Sequence, residues 1–175
     1  MTKYKLTVLR NEDGLIDGCH RCSYICGYRC CHQSLPDDGD FGPGNSILLY
    51  PDEWDLVTEE TKKHLIITME NFDGGKLAYC DGKHFDQSKC HPSRNFKPLD
   101  CESYPFAPAI KDGKLVLLVD VKRCPLSAVQ LRKHYDYVIA RWKKVLEKNP
   151  DVTDWIKSLP LPEYVPYDPK TQFSS

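Results

Sequence analysis

The stretch GCHRCSYICGYRCC, residues 18–31, places five cysteines within fourteen residues. Three readings are open: disulfides, metal ligands, or inert thiols. Its gaps are two, three and three residues, followed by the adjacent pair Cys30-Cys31. Gaps this short let a loop turn its sulfurs toward one centre. A tetrahedral zinc site needs four such ligands, and a cubane iron–sulfur cluster needs one thiolate for each iron. Neighbouring side chains point in different directions, so Cys30 and Cys31 suit two adjoining sites better than one. Arg21, Arg29 and Lys89 each adjoin a cysteine and would favour the thiolate form.

The rest of the chain weights these readings. It has 175 residues, enough for one compact domain with an appendage. Hydrophobic residues make up 41% and charged residues 28%, which permits a packed core and argues against wholesale disorder. The formal net charge is −1, so no basic excess points to nucleic acid. The longest apolar runs, such as LVLLVDV at residues 115–121, are too short to cross a bilayer. The opening MTKYKLTVLRNEDG has no long apolar core of the kind a secretory signal carries, which leads us to expect a cytoplasmic protein. The cytosol keeps thiols reduced, and nine cysteines is an odd number for full pairing, so metal is expected over disulfides.

Four further thiols, Cys80, Cys90, Cys101 and Cys124, are spread through the chain and can supply distant ligands. Cys80, at a strand end, and Cys124, before Pro125, also suit a buried apolar role. Cys19, His20, His32 and His91 sit beside the clustered residues and remain alternative ligands. His64, His84 and His134 are expected to be structural or exposed.

Residues 4–10, YKLTVLR, alternate as a strand does, and residues 36–45, PDDGDFGPGN, form a loop. SILLY at 46–50 is a short strand. PDEWDLV, from Pro51, has the proline and early acids of a helix start, and Thr58 opens a second short helix. Two hairpins are expected, in residues 64–80 around Asn71–Gly75 and in residues 107–120 around Asp112-Gly113. Ser127 and Gln130 match a capping box. After it Leu131, His134, Tyr135, Val138, Trp142, Val145 and Leu146 recur with helical spacing. Asn149-Pro150 ends that helix. VTDWIKSL and a proline-punctuated tail complete the chain, with Tyr164 and Tyr167 available for packing. The expected architecture is α+β: an irregular cysteine-rich, metal-stapled domain over residues 1–150, with β-hairpins and a long C-terminal helix, followed by an extension over residues 151–175.

These residues resemble the YkgJ-type cysteine-cluster family, described as zinc- or iron-chelating domains. The likeness runs from about Cys19 to Leu126. Cys22, Cys26-Gly27 and Cys30-Cys31 match its closely spaced cysteines, and ILLYPDEW matches its acidic helix start. Cys80 and Cys90 match its middle pair. KPLDCESYPF, residues 97–106, matches a basic-Pro-x-x-Cys-x-x-Tyr-Pro signature around Cys101, and Cys124 is the last thiol. The first gaps are one residue longer than the family's, Lys97 and Glu102 stand where arginines are usual, and Cys19 is additional. The resemblance implies a metal held by Cys22, Cys26, Cys30, Cys31, Cys80, Cys90, Cys101 and Cys124.

No Gly-x-Ser-x-Gly elbow, phosphate loop or radical-enzyme Cys-x3-Cys-x2-Cys triplet is present. Three functions follow: an iron–sulfur protein, a zinc-stapled protein-binding module, or a metalloenzyme with an open coordination position and a small substrate. Iron is favoured over zinc.

Overall fold

The computed structural model describes residues 46–57, 59–63, 65–80, 98–120, 127–161 and 164–169. The expected strand at 4–10, the 18–31 cysteines, the 36–45 loop, Cys90 and Cys124 lie outside the described residues.

Two three-stranded antiparallel sheets and two substantial helices make an α+β architecture. The first sheet contains β1 (Ile47–Leu49), β2 (Leu65–Phe72) and β3 (Gly75–Cys80), in the order β1-β3-β2. The short helix α1 (Glu59–Lys62) precedes β2. The five-residue helix α2 (Leu99–Ser103) follows the first sheet and leads into the second. That sheet contains β4 (Phe106–Lys111), β5 (Lys114–Val119) and β6 (Val165–Pro166), in the order β4-β5-β6. The long helix α3 (Ala128–Lys148) and the helix α4 (Val152–Ser158) lie between β5 and β6 in the chain.

Both expected hairpins are present, and their turns are Asp-Gly. Asp73 and Gly74 have φ of 50° and 94°, and Asp112 and Gly113 have 50° and 72°. Two successive positive φ angles make a turn that follows the twist of the flanking strands. Pro108 and Pro166 fall on edge strands, where a missing N–H breaks no ladder. The capping box is formed as expected: Ser127 Oγ accepts from the Gln130 amide at 3.4 Å, and the Gln130 side chain accepts from the Ser127 amide at 2.9 Å. Asn149 closes the other end, its side-chain amide donating to the Val145 carbonyl at 2.8 Å.

The expected helix from Pro51 is instead a four-residue 3-10 turn, Glu53–Leu56. Asp52 takes a left-handed φ of 63°, which a helical start does not allow. The Glu53 side chain turns back into the protein rather than lying along the helix dipole.

Alternation along the first sheet gives it two buried faces. Leu48, Tyr50 and Leu77 enter the main core, while Leu49 and Ala78 join a smaller cluster with Val57 and Leu65. The main core unites the first sheet with Phe106, Leu117 and Val119 of the second. It also takes in Leu131, Val138, Trp142 and Val145 of α3, and Val152, Trp155 and Ile156 of α4. The Tyr50 ring lies between Trp142 and Trp155, with centroids at 5.0 and 4.8 Å. Both tryptophans are fully buried, and each removes roughly 200 Å² from water, about 5 kcal/mol at the usual area coefficient. In the C-terminal tail Tyr167 is buried against Phe106 and Tyr135. Among the described residues no helix is long and apolar enough to cross a membrane.

Candidate functional site

Cys101 is the cysteine whose side chain the structure describes. It lies half-buried in the middle of α2. A five-residue helix cannot hold itself in water, because the cost of its first turn exceeds what one or two hydrogen bonds return. The orientation of α2 is therefore set by what surrounds it. Leu99, Asp100, Glu102, Ser103 and the following Tyr104 all have external partners.

Glu53 holds the start of the helix. Its Oε1 accepts from the Leu99 amide and its Oε2 from the Tyr50 amide, both at 2.7 Å. Pro98 at the N-cap supplies no side-chain bond, so this carboxyl group replaces the missing cap. Glu53 is 0% exposed. Burial pushes its carboxyl up to about 8, while the two amide bonds pull it down. Asp100 reaches back to β1, its Oδ2 accepting from the Leu48 amide at 2.9 Å. It thereby occupies a backbone donor on the outer edge of β1, the sheet's terminal strand. Burial raises its carboxyl to about 6, opposed by that amide.

The other side of α2 is fixed by α3. Glu102 is buried, accepts from the Tyr137 hydroxyl, and pairs with Arg141 Nε at 3.3 Å. Ser103 Oγ accepts from Trp142 Nε1 at 2.8 Å. His134, buried as a structural residue, donates from Nε2 to the Tyr104 carbonyl at 2.9 Å.

Two ends of the described chain lie at one end of the first sheet, and a third opens the helix tied to β1. Ser46 leads into β1, and β3 ends at Cys80. β1 and β3 are antiparallel neighbours with Ile47 opposite Ala78 and Leu48 opposite Leu77, so Ser46 and Cys80 lie at the same end of the sheet. Cys80 stands three residues beyond the level of the Leu48 amide, about 10 Å along the strand. Pro98 opens α2, which Asp100 ties to that amide. A fourth end, Asp120, receives the Tyr104 hydroxyl at 3.4 Å, and its amide donates to the Pro105 carbonyl at 2.9 Å.

The expected ligands Cys22, Cys26, Cys30, Cys31, Cys90 and Cys124 lie outside the described residues, as do Cys19, His20, His32 and His91, and Cys80 is described by its backbone. Among the described residues no group of three or more His, Cys, Asp or Glu side chains could hold a metal ion. A thiol is a donor that zinc or iron accepts, and the acidic side chains beside Cys101 are instead turned onto backbone amides and Arg141. Glu53, Asp100, Glu102 and Arg141 were not singled out as functional from the sequence. The acids beside Pro51 and Cys101 were visible, but their distant partners, 35 to 52 residues away, were not. No family model, curated protein or solved structure matches the chain.

Proposed function

We propose that this chain is a cytoplasmic metal-binding protein whose clustered cysteine thiolates hold an iron–sulfur cluster, with zinc as the alternative ion. The ligands are Cys22, Cys26, Cys30, Cys31, Cys80, Cys90, Cys101 and Cys124, the set that the likeness to YkgJ-type cysteine-cluster proteins implies. One structural observation supports the reading above others. Two chain ends that lead into cysteine-bearing segments, Ser46 and Cys80, lie at one end of the first sheet, and the helix that carries Cys101 is tied through Asp100 to the edge strand of that same sheet. A metal bound there would tie together segments distant in sequence and contribute directly to folding. An iron–sulfur cluster would supply one-electron redox chemistry; α2 would supply one fixed thiolate to it.

The test is elemental and acid-labile sulfide analysis of the full chain purified without oxygen. Iron with sulfide is expected, and zinc without sulfide would make the centre a structural one. Cys26→Ser and Cys101→Ser should each lower both bound metal and folded yield. Normal metal content and yield in both variants would overturn the ligand assignment.

A further inference from the structure

Of the contacts around α2, the one from Glu53 holds its leading amide. The neighbouring N-cap is a proline without a side-chain bond, and Leu99 Nα has Glu53 Oε1 at 2.7 Å. Cys101 follows two residues later, about 3 Å along a helix axis. The position of the thiol is thus coupled closely to this anchor. The second oxygen of Glu53 bonds the Tyr50 amide, so the same group fixes the helix against the chain leaving β1. A carboxyl group with no solvent exposure is a costly way to cap a helix that a serine or aspartate at the N-cap could cap on the surface. What Glu53 provides beyond a local cap is a bridge 46 residues long between β1 and α2.

We infer that Glu53 is a positioning residue for the metal centre: by bridging the Tyr50 and Leu99 amides it sets where the Cys101 thiolate meets the metal. This inference rests on the metal-binding reading above. It assigns Glu53 no contact with the metal. Groups that orient a ligand from behind commonly change metal affinity by 10- to 100-fold.

The experiment titrates the reduced full chain with Co2+ without oxygen and follows the thiolate-to-cobalt charge-transfer absorption. Glu53→Ala should weaken Co2+ binding at least tenfold and alter the charge-transfer spectrum. Glu53→Gln retains one acceptor and places an NH2 group against the other amide, so it should fall between Glu53→Ala and the wild type. If Glu53→Ala does not fold, Glu53→Gln carries the comparison. Val152→Ala, which truncates a fully buried side chain in α4, controls for lost stability and should bind Co2+ as the wild type does. Wild-type affinity and spectrum in the folded Glu53 variants, while Cys101→Ser loses binding, would overturn the positioning role and leave the metal reading intact. An equal loss in Val152→Ala would also overturn it, because the effect would then be one of general stability. No Co2+ binding by the wild type would overturn both readings.

Discussion

Arg141→Met is the perturbation that tests the second anchor of α2. The side chains of Arg141 and Glu102 are 5% and 7% exposed, and the guanidinium Nε stands 3.3 Å from Glu102 Oε2. Methionine keeps much of the arginine stem but leaves Glu102 a buried carboxylate facing the Tyr137 hydroxyl. Removing one partner of a buried pair costs about 3–5 kcal/mol, because the other charge stays in the interior. Domains of this kind have about 5–15 kcal/mol in total, so the variant loses a large part of its stability. At about 2–4 °C per kcal/mol for this chain length, the melting temperature should fall by roughly 6–20 °C. Adding Glu102→Gln removes the stranded charge while keeping an acceptor for Tyr137. The double variant should then lie only about 1–2 kcal/mol below the wild type, the usual net value of the lost hydrogen bonds. Urea unfolding of the wild type, both single variants and the double variant closes the cycle, with unchanged slope as the check that the states compared are the same. A cost below about 1 kcal/mol for Arg141→Met, or a double variant no better than the sum of the singles, would refute a buried charge pair there.

Three further predictions follow from local geometry. A Cβ on Gly75 would lie 2.5 Å from the Leu49 carbonyl oxygen and 3.0 Å from Trp155 Cζ2, so Gly75→Ala must push β1 from β3 and should cost about 1–3 kcal/mol by thermal unfolding; a wild-type melting temperature would contradict that packing. Ser127→Ala removes the oxygen that accepts from the Gln130 amide and should cost about 1 kcal/mol, with no change in urea slope. Glu53 has its folded pKa raised from 4.5 to about 8, so folding takes up a proton between those values and stability falls as pH rises through that window. The slope from this one group is at most about 1.4 kcal/mol per pH unit. Glu53→Gln should lack that component, and a variant whose stability follows pH as the wild type's does would show that Glu53 does not titrate with folding.

The parts of this fold written in adjacent residues were legible before the structure. Asp73-Gly74 and Asp112-Gly113 announce their turns because few other residues accept two positive φ angles in succession. Ser127 and Gln130 announce a helix start because both partners of the reciprocal bonds lie within three residues. The apolar stripe of α3 was readable from Leu131 to Leu146, yet Arg141, on the buried side at 4% exposure, was not. Its burial depends on Glu102, and nothing in either local sequence encodes the pair. The same reason hid Glu53. Beside Pro51 it has the pattern of a helix start, and only the distant Leu99 amide converts it into an interior bridge.

That bridge explains a feature of the sequence otherwise hard to reconcile with a stable short helix. LDCES contains two acids, a serine and a cysteine in five residues, and leucine is its strongest helix former. Such a segment has little tendency to be helical and little apolar surface to bury. Here the other polar side chains have partners elsewhere in the fold: Asp100 on β1, and Glu102 and Ser103 on α3. The helix is thus held by side chains whose bonds are specific in direction, where an apolar helix would be held by contacts that tolerate rotation. Directional bonds fix the rotation of the segment, and with it the place of the one sulfur it carries. The cost is three carboxyl groups taken wholly or largely out of water, and it falls on Glu53, Asp100 and Glu102, the residues that fix the helix carrying the thiol.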